Sequence, residues 1–386
     1  MPTAMLPSKP QRRPNDWATE PTSQLPTLVG SELLLKQFPD PKKYLKFDFK
    51  QNQKILGRFQ IEDLLGEGKF AKVYLVANLK PRRLDCGSAL YEPEIAAIKF
   101  FKITSDQQEN EKLFERWRNE WDILEKVNKP VPGGGPNPYV PLPYRHNLIN
   151  AKTPEEKLRL PYILMEAING IDLDGAMFLY KDKNKQPTER VIARLGWMLS
   201  RCCLLLLKNG VLHRDIKPQN IMLDLAELKS TPDRGLYLVD FGGAEDLNIM
   251  NIKKRFQFAG TPYFMAPEQL IKERFDANEK TEVYAIGMTI AIMMGLNLLP
   301  DLPDRKDSSY TDDWLTKLRT EKLKIDFSLR LRSNYSDTLK NIVRKTLDPN
   351  PEGRPSLQEL VVSLYILNRR EKLKVRTGVI NRKDLK

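Results

Sequence analysis

The sequence predicts an α+β protein, and three observations carry that prediction. Alternating strand patterns broken by glycine crowd residues 58–101, apolar helices are read at residues 188–208 and 283–299, and 386 residues with 41% hydrophobic side chains suffice for one large core or two lobes. The chain carries a net charge of +13, whose distribution matters more than its total. Beyond Asn368, eight Lys and Arg side chains face only Glu371 and Asp384, so a net of +6 sits in a basic tail, residues 369–386. That tail reads as solvated rather than as a nucleic-acid or membrane tether. Three cysteines, Cys86, Cys202 and Cys203, form neither a disulfide framework nor a metal-binding spacing, which fits a reducing, intracellular and by expectation cytoplasmic setting. No apolar signal segment opens the chain. The best spanning candidate, residues 283–299, is short and contains Asn297, so it reads as a buried helix and no membrane span is expected.

Taken in order, residues 1–53 carry prolines and scattered charges and read as a flexible leader. An apolar island within and around it, Leu33, Leu34, Leu35, Phe38, Tyr44, Phe47 and Phe49, has the composition to dock on the folded part. Arg58-Phe59-Gln60-Ile61-Glu62 alternates as a half-buried strand and runs into Leu65-Gly66-Glu67-Gly68-Lys69-Phe70-Ala71-Lys72-Val73. Glycines let a backbone approach phosphate oxygens and aim N–H donors at them, although glycine hairpins also serve as plain turns. Ala97 and Lys99 lie in the short apolar strand 95–101, where a lysine needs an anion. Residues 106–127 read as an amphipathic helix opened by Ser105, with Leu113, Trp117, Trp121 and Leu124 in its stripe and Glu120 among them. Residues 81–93 and 130–143 read as surface excursions.

Tyr162-Ile163-Leu164-Met165-Glu166 is a buried strand leaving through Ala167-Ile168-Asn169-Gly170. A strongly apolar helix from Thr188 to Lys208 ends at Asn209-Gly210 and delivers His213-Arg214-Asp215-Ile216-Lys217-Pro218-Gln219-Asn220. A lone loop aspartate is ordinarily a turn residue. Asp215, Lys217 and Asn220 together put a proton acceptor, a cation and a metal-capable amide on one loop, the set that phosphoryl transfer needs around a hydroxyl nucleophile. Leu236-Tyr237-Leu238-Val239 then empties into Asp240-Phe241-Gly242, and Gly260-Thr261-Pro262-Tyr263-Phe264-Met265-Ala266-Pro267-Glu268 follows. Arg354 stands late in the chain, in Pro351-Glu352-Gly353-Arg354-Pro355.

In order and spacing these motifs resemble the eukaryotic-type serine/threonine protein kinase family, over about residues 58–368. The resemblance implies a bilobal protein-kinase-like fold: a small antiparallel β-sheet lobe with one helix, 58–166, a larger mainly α-helical lobe, 170–368, and ATP in the cleft. It implies that Asp215 orients the substrate hydroxyl and accepts its proton, that Lys217 neutralises charge on the phosphoryl group, and that Asn220 and Asp240 hold Mg2+. Lys99, fixed by Glu120, would align the α- and β-phosphates. Leu65, Gly66, Glu67, Gly68, Lys69, Phe70, Ala71, Lys72 and Val73 would cover the nucleotide. Leu65, Val73, Ala97 and Met222 would sandwich adenine, Met165 would guard its back, and Glu166 and Ile168 would offer it backbone hydrogen bonds. Asp172 would lie near the ribose or the peptide. The activation segment would run from Asp240, Phe241 and Gly242 through Thr261 to Ala266, Pro267 and Glu268, with Arg354 paired to Glu268. Lys217-Pro218 and Thr261 point to serine and threonine acceptors. ATP and Mg2+ are the implied cofactors and protein substrates the implied partners, with nucleic acid not expected.

Three departures from the family pattern stand out. Ala71 replaces the third glycine of the loop. Between Gly242 and Gly260 there is no Ser, Thr or Tyr, and Gln257 stands where many relatives carry a phosphoacceptor. Arg214, which grips that phosphate in them, is therefore expected to be satisfied by Gln257, Glu245 or Asp246. Glu282 replaces an aspartate that supports the catalytic loop, so one extra methylene must be absorbed, and Glu282→Asp is expected to be near neutral or improving if that support is kept, severe inactivation pointing to a different network. The alternative function is a pseudokinase scaffold that binds nucleotide and partners with little or no turnover. A small-molecule kinase is a further reading, against which Asp240-Phe241-Gly242 and Ala266-Pro267-Glu268 weigh.

Overall fold

Glycine spacing and strand alternation become a curled antiparallel sheet in the computed structural model. It describes residues 47–68, 70–80, 83–84, 90–91, 93–104, 106–129, 137–152, 157–248, 260–271, 277–296, 312–323 and 335–376. The chain divides into two units, Met1–Pro136 with Val140–Asn169, and Asn137–Tyr139 with Gly170–Lys386. Leu33 to Tyr44 of the apolar island, Lys69, Cys86, Gly133 to Gly135, Gln257 and residues 377–386 of the basic tail lie outside the described residues.

In the first unit, β1 (Lys54–Ile55), β2 (Phe59–Glu67), β3 (Ala71–Asn78), β4 (Ile95–Phe101), β5 (Pro143–Lys152) and β6 (Lys157–Glu166) form a six-stranded sheet in the order β1-β2-β3-β4-β6-β5. Every pairing is antiparallel. Period-two alternation puts Tyr74, Val76, Ile98 and Phe100 into the core, and Lys99 pairs with both Val73 and Ile163 at the centre of the sheet. The helix α1 (Gln107–Asn128) lays Leu113, Trp117, Glu120 and Leu124 against it, and the Trp117 indole donates to the Tyr162 carbonyl at 3.1 Å. Its cap is Asp106 and not Ser105. The Asp106 carboxylate accepts from the Glu109 N–H, and a carboxylate serves this position as well as a hydroxyl while also favouring the positive helix end. Ser105 itself lies outside the described residues.

The described chain opens with a clip on this sheet. Phe47 is 4% exposed, its ring edge-on to Phe100, and Phe49 stands 4.8 Å from Phe100 and 5.5 Å from Tyr74. Asp48 between them takes the Lys72 ammonium.

The second unit is mainly helical. After β7 (Ile171–Asp172) come α2 (Leu173–Asp182) and α3 (Glu189–Lys208), the latter capped by the Thr188 hydroxyl. Short strands β8 (Val211–Leu212), β9 (Ile221–Leu223), β10 (Leu236–Leu238) and β11 (Glu245–Asp246) follow, then α4 (Glu279–Met293), α5 (Asp312–Leu323), α6 (Asp337–Thr346) and α7 (Leu357–Arg376). The α4 helix is buried nearly all round, as its apolar composition predicts. Among the described residues no helix is long and apolar enough to cross a membrane. Helices α3, α4 and α7 close on Gly196, where a side chain would meet Ile290 and Leu364 within 3.3 Å.

Part of one excursion is not on the surface. Within residues 130–143, Tyr139 and Val140 are fully buried, and the Tyr139 carbonyl accepts from the Leu238 N–H at 2.7 Å. The aromatic ring and the backbone bond to the end of β10 draw Asn137–Tyr139 into the second unit, which turn composition alone does not disclose.

Candidate active site

Helix α3 ends on Gly210, whose φ of +68° turns the chain into β8, and β8 delivers His213 to a fully buried position. The His213 and Arg214 N–H groups donate to the two oxygens of Glu282 on α4, at 3.0 and 2.9 Å. Glu282 thus reaches the loop backbone with both oxygens despite its additional methylene. Burial pushes its carboxyl up to about 7, against the pull of those two N–H donors and the Arg214 cation. The His213 imidazole is held to the Val239 carbonyl at 3.1 Å, and burial lowers its pKa against the raising fields of Asp215 and Asp240.

Asp215 sits at the focus of the loop. Its Oδ2 accepts from the Lys217 ammonium at 2.8 Å and from the Asn220 amide at 3.1 Å, while Oδ1 accepts from the Thr261 hydroxyl at 2.8 Å. Lys217 also donates to the Thr261 hydroxyl at 2.8 Å, closing an Asp215–Lys217–Thr261 triangle. Gly260 permits this approach: its φ is +108°, and a side chain there would lie 2.4 Å from the Arg214 carbonyl. Arg214 at φ +67° and Asp240 at φ +64° hold left-handed backbone without being glycine, a strain that persists only where surroundings enforce it.

Asn220 gives both amide hydrogens to Asp215, one to its carboxylate and one to its carbonyl at 2.8 Å, which leaves the amide oxygen as the atom able to meet a cation. The Val239 N–H donates to the Asn220 carbonyl at 2.9 Å, so Asp240 follows directly beside it. An amide oxygen and a carboxylate are hard donors that fit Mg2+, which takes one or two carboxylates and fills its octahedron with phosphate and water. Among the described residues no cluster of three or more His, Cys, Asp or Glu could hold a metal by itself.

Arg214 meets Glu245 at 3.3 Å, one of the three partners expected from the sequence, while Asp246 accepts from the Asn248 N–H and Gln257 lies outside the described residues. Further along, Arg354, 2% exposed, grips Glu268 with two parallel bonds of 2.6 and 2.9 Å. Phe241 is buried edge-on to His213, Gly242 donates to the Asp240 carboxylate, and Ala266 and Pro267 are buried at the start of the turn Pro267–Leu270.

In the first unit, Lys99 is 8% exposed and Glu120 1%, and the ammonium donates to both carboxylate oxygens at 2.6 and 2.8 Å. The strand places the lysine and the α1 stripe places the glutamate. Around the glycine turn, Gly68 N–H closes on the Ala71 carbonyl at 2.9 Å, Leu65 and Phe70 are exposed, and Arg116 covers the Phe70 ring. Glu67 reaches Lys102 at 2.6 Å and Lys72 at 3.4 Å, so Lys72 is turned to Glu67 and Asp48. Val73, Ala97 and Met165 lie on three neighbouring strands, Ala97 pairing with Met165. The Glu166 carboxylate accepts from the Leu142 N–H at 3.2 Å, and Ile168 is half-buried past the end of β6. Met222 belongs to the second unit, where it pairs with Asp172. Two participants escaped sequence reasoning, Asp48 and Lys322, whose ammonium donates to the Tyr263 and Met265 carbonyls of the segment that follows Thr261. Asp48 looks like any leader acid, and Lys322 sits in a charged run that reads as a solvated helix face.

A protein kinase domain model matches residues 141–366, more than half of the chain, and the chain therefore belongs to the protein kinase family. Its fold is the family's bilobal α+β fold. It is 26% identical over 313 residues to CBL-interacting serine/threonine-protein kinase 18 of Arabidopsis thaliana, covering 80% of this chain and 49% of that protein. It is also 26% identical over 311 residues to CBL-interacting protein kinase 30 of Oryza sativa subsp. japonica, covering 80% and 54%. Probable serine/threonine-protein kinase nek2 of Dictyostelium discoideum is 27% identical over 314 residues, covering 81% and 63%. The chain spans about half the length of the first two relatives.

Proposed function

We propose that this protein is an ATP-dependent serine/threonine protein kinase that moves the γ-phosphoryl group of Mg-ATP to Ser and Thr hydroxyls of protein substrates. The observation that carries the reading is the Asp215 carboxylate held between Lys217 and Thr261 at 2.8 Å from each. A carboxylate so fixed orients an acceptor hydroxyl and takes its proton as the oxygen bonds to phosphorus and the bond to the ADP oxygen breaks. Lys217, beside it, offsets negative charge on the phosphoryl oxygens. Lys99, with its ammonium set by Glu120, is the residue for the α- and β-phosphates, and the glycines at 66 and 68 let the turn's backbone approach the nucleotide closely. Leu65, Val73, Ala97 and Met222 provide apolar contact for adenine, with Met165, Glu166 and Ile168 at its edge. Asn220 and Asp240 are the residues for Mg2+, which when bound neutralises charge on the phosphates. Buried free thiols at Cys202 and Cys203 are in keeping with a reducing, intracellular setting.

Asp215→Asn tests the assignment. Phosphate incorporation into myelin basic protein should fall about 100- to 10,000-fold, the range for loss of a general base, while ATP binding is retained. Unchanged incorporation by a clean preparation would remove Asp215 from the role, and absence of Mg-ATP turnover in the parent chain would favour the scaffold reading.

A further inference from the structure

Helix α5 packs on the turn Pro267–Leu270 with one face, and that face contains a lysine. Leu318 is fully buried, and one helical turn later Lys322 is 1% exposed. An ammonium there is costly to bury, and a Leu or Met would fill the space without that cost. The lysine has specific partners. Nζ donates to the Tyr263 carbonyl at 2.6 Å and to the Met265 carbonyl at 2.8 Å, and stands 4.9 Å from the centre of the Tyr284 ring, whose face Arg354 also approaches. Burial drives its pKa well down, Glu268 opposing and Arg354 reinforcing that shift.

The two carbonyls belong to the segment that touches Asp215. Within it, the Phe264 N–H returns to the Thr261 carbonyl and the Met265 N–H to the Pro262 carbonyl, making a tight turn. One end of the turn is tied through the Thr261 hydroxyl to Asp215 and Lys217, and the other through the Ala266 N–H to the Gln269 side chain. Lys322 holds the stretch between these ties. It is connected to the Asp215 carboxylate through the single turn 261–265.

We propose that Lys322 is a positioning residue for the protein substrate. By clamping the Tyr263 and Met265 carbonyls it fixes the turn 261–265, against which the polypeptide carrying the acceptor hydroxyl lies. This rests on the kinase reading above. The clamp uses two N–H donors, so its geometry depends more on reach and donors than on charge.

Steady-state kinetics on the full chain decides it, with myelin basic protein and ATP varied separately. Lys322→Met, which keeps the volume and removes both donors, should raise KM for the protein at least tenfold and leave KM for ATP within twofold. Lys322→Gln, with two N–H donors on a shorter arm, should show a smaller rise in the same constant and serves as the folded variant should the Met variant fail to fold. A loss confined to kcat, or equal changes in both KM values, would reduce Lys322 to a packing residue and overturn the proposal. If the parent chain itself transfers no phosphate, the kinase reading fails first, which the parent reaction reports separately.

Discussion

Glu282 shows how one methylene is absorbed. Both of its oxygens bond the catalytic-loop backbone, so α4 sits at the distance a glutamate needs, and an aspartate must recover two bonds across a gap. The sequence-based expectation for Glu282→Asp is near neutral or improving while this support is kept; the geometry predicts instead destabilisation by about 1–3 kcal/mol, the cost of slackened buried donors, with a lower kcat, and urea unfolding of the variant decides between them. The same carboxyl introduces a pH dependence. Its folded value of about 7 lies above an ordinary glutamate's, so between roughly pH 4.5 and 7 the folded state holds a proton that the unfolded state lacks. The stability contributed is full below pH ~4.5 and is lost as pH rises through 7, on the order of 3 kcal/mol. Thermal unfolding scanned from pH 5 to 8 should show that decline, and Glu282→Gln should flatten it.

Among elements, the aromatic clip at Phe47 and Phe49 extends the small-lobe core beyond its sheet. Phe47→Ala should cost about 3–5 kcal/mol in urea unfolding, as a buried ring removed from a packed site does, whereas a passively draped leader would show under 1 kcal/mol. The sheet, α1 and α3 were legible in the sequence because period-two and period-3.6 patterns report a buried face directly. The clip was legible only as composition: Phe47 and Phe49 belong to the apolar island expected to be able to dock, but no periodic pattern there marks an element or the surface that it meets. The candidate site was legible for a different reason: Asp215, Lys217 and Asn220 are close in sequence as well as in space. Lys322, 107 residues beyond Asp215, shares no local pattern with it, and i,i+4 spacing from Leu318 is indistinguishable from a solvated lysine next to a core leucine.

For the molecule as a whole, the proposed kinase is already arranged for activity at Arg214. Glu245 supplies the negative partner that a phosphate would otherwise bring, and residues 243–259 contain no hydroxyl side chain to modify. Phosphatase-treated protein should keep its activity within twofold on myelin basic protein. Glu245→Gln, by contrast, should lower it, and a collapse after phosphatase would place control at Thr261, Tyr263 or elsewhere.

The passage of Asn137–Tyr139 into the second unit has a consequence for that unit's core. The chain leaves the small lobe after Pro136, sets Tyr139 into the helical unit against β10, and returns at Val140 to form two further strands of the sheet. A fragment begun at Gly170 would carry a void where the tyrosine belongs, so the second unit needs residues 137–139 to fill its own core.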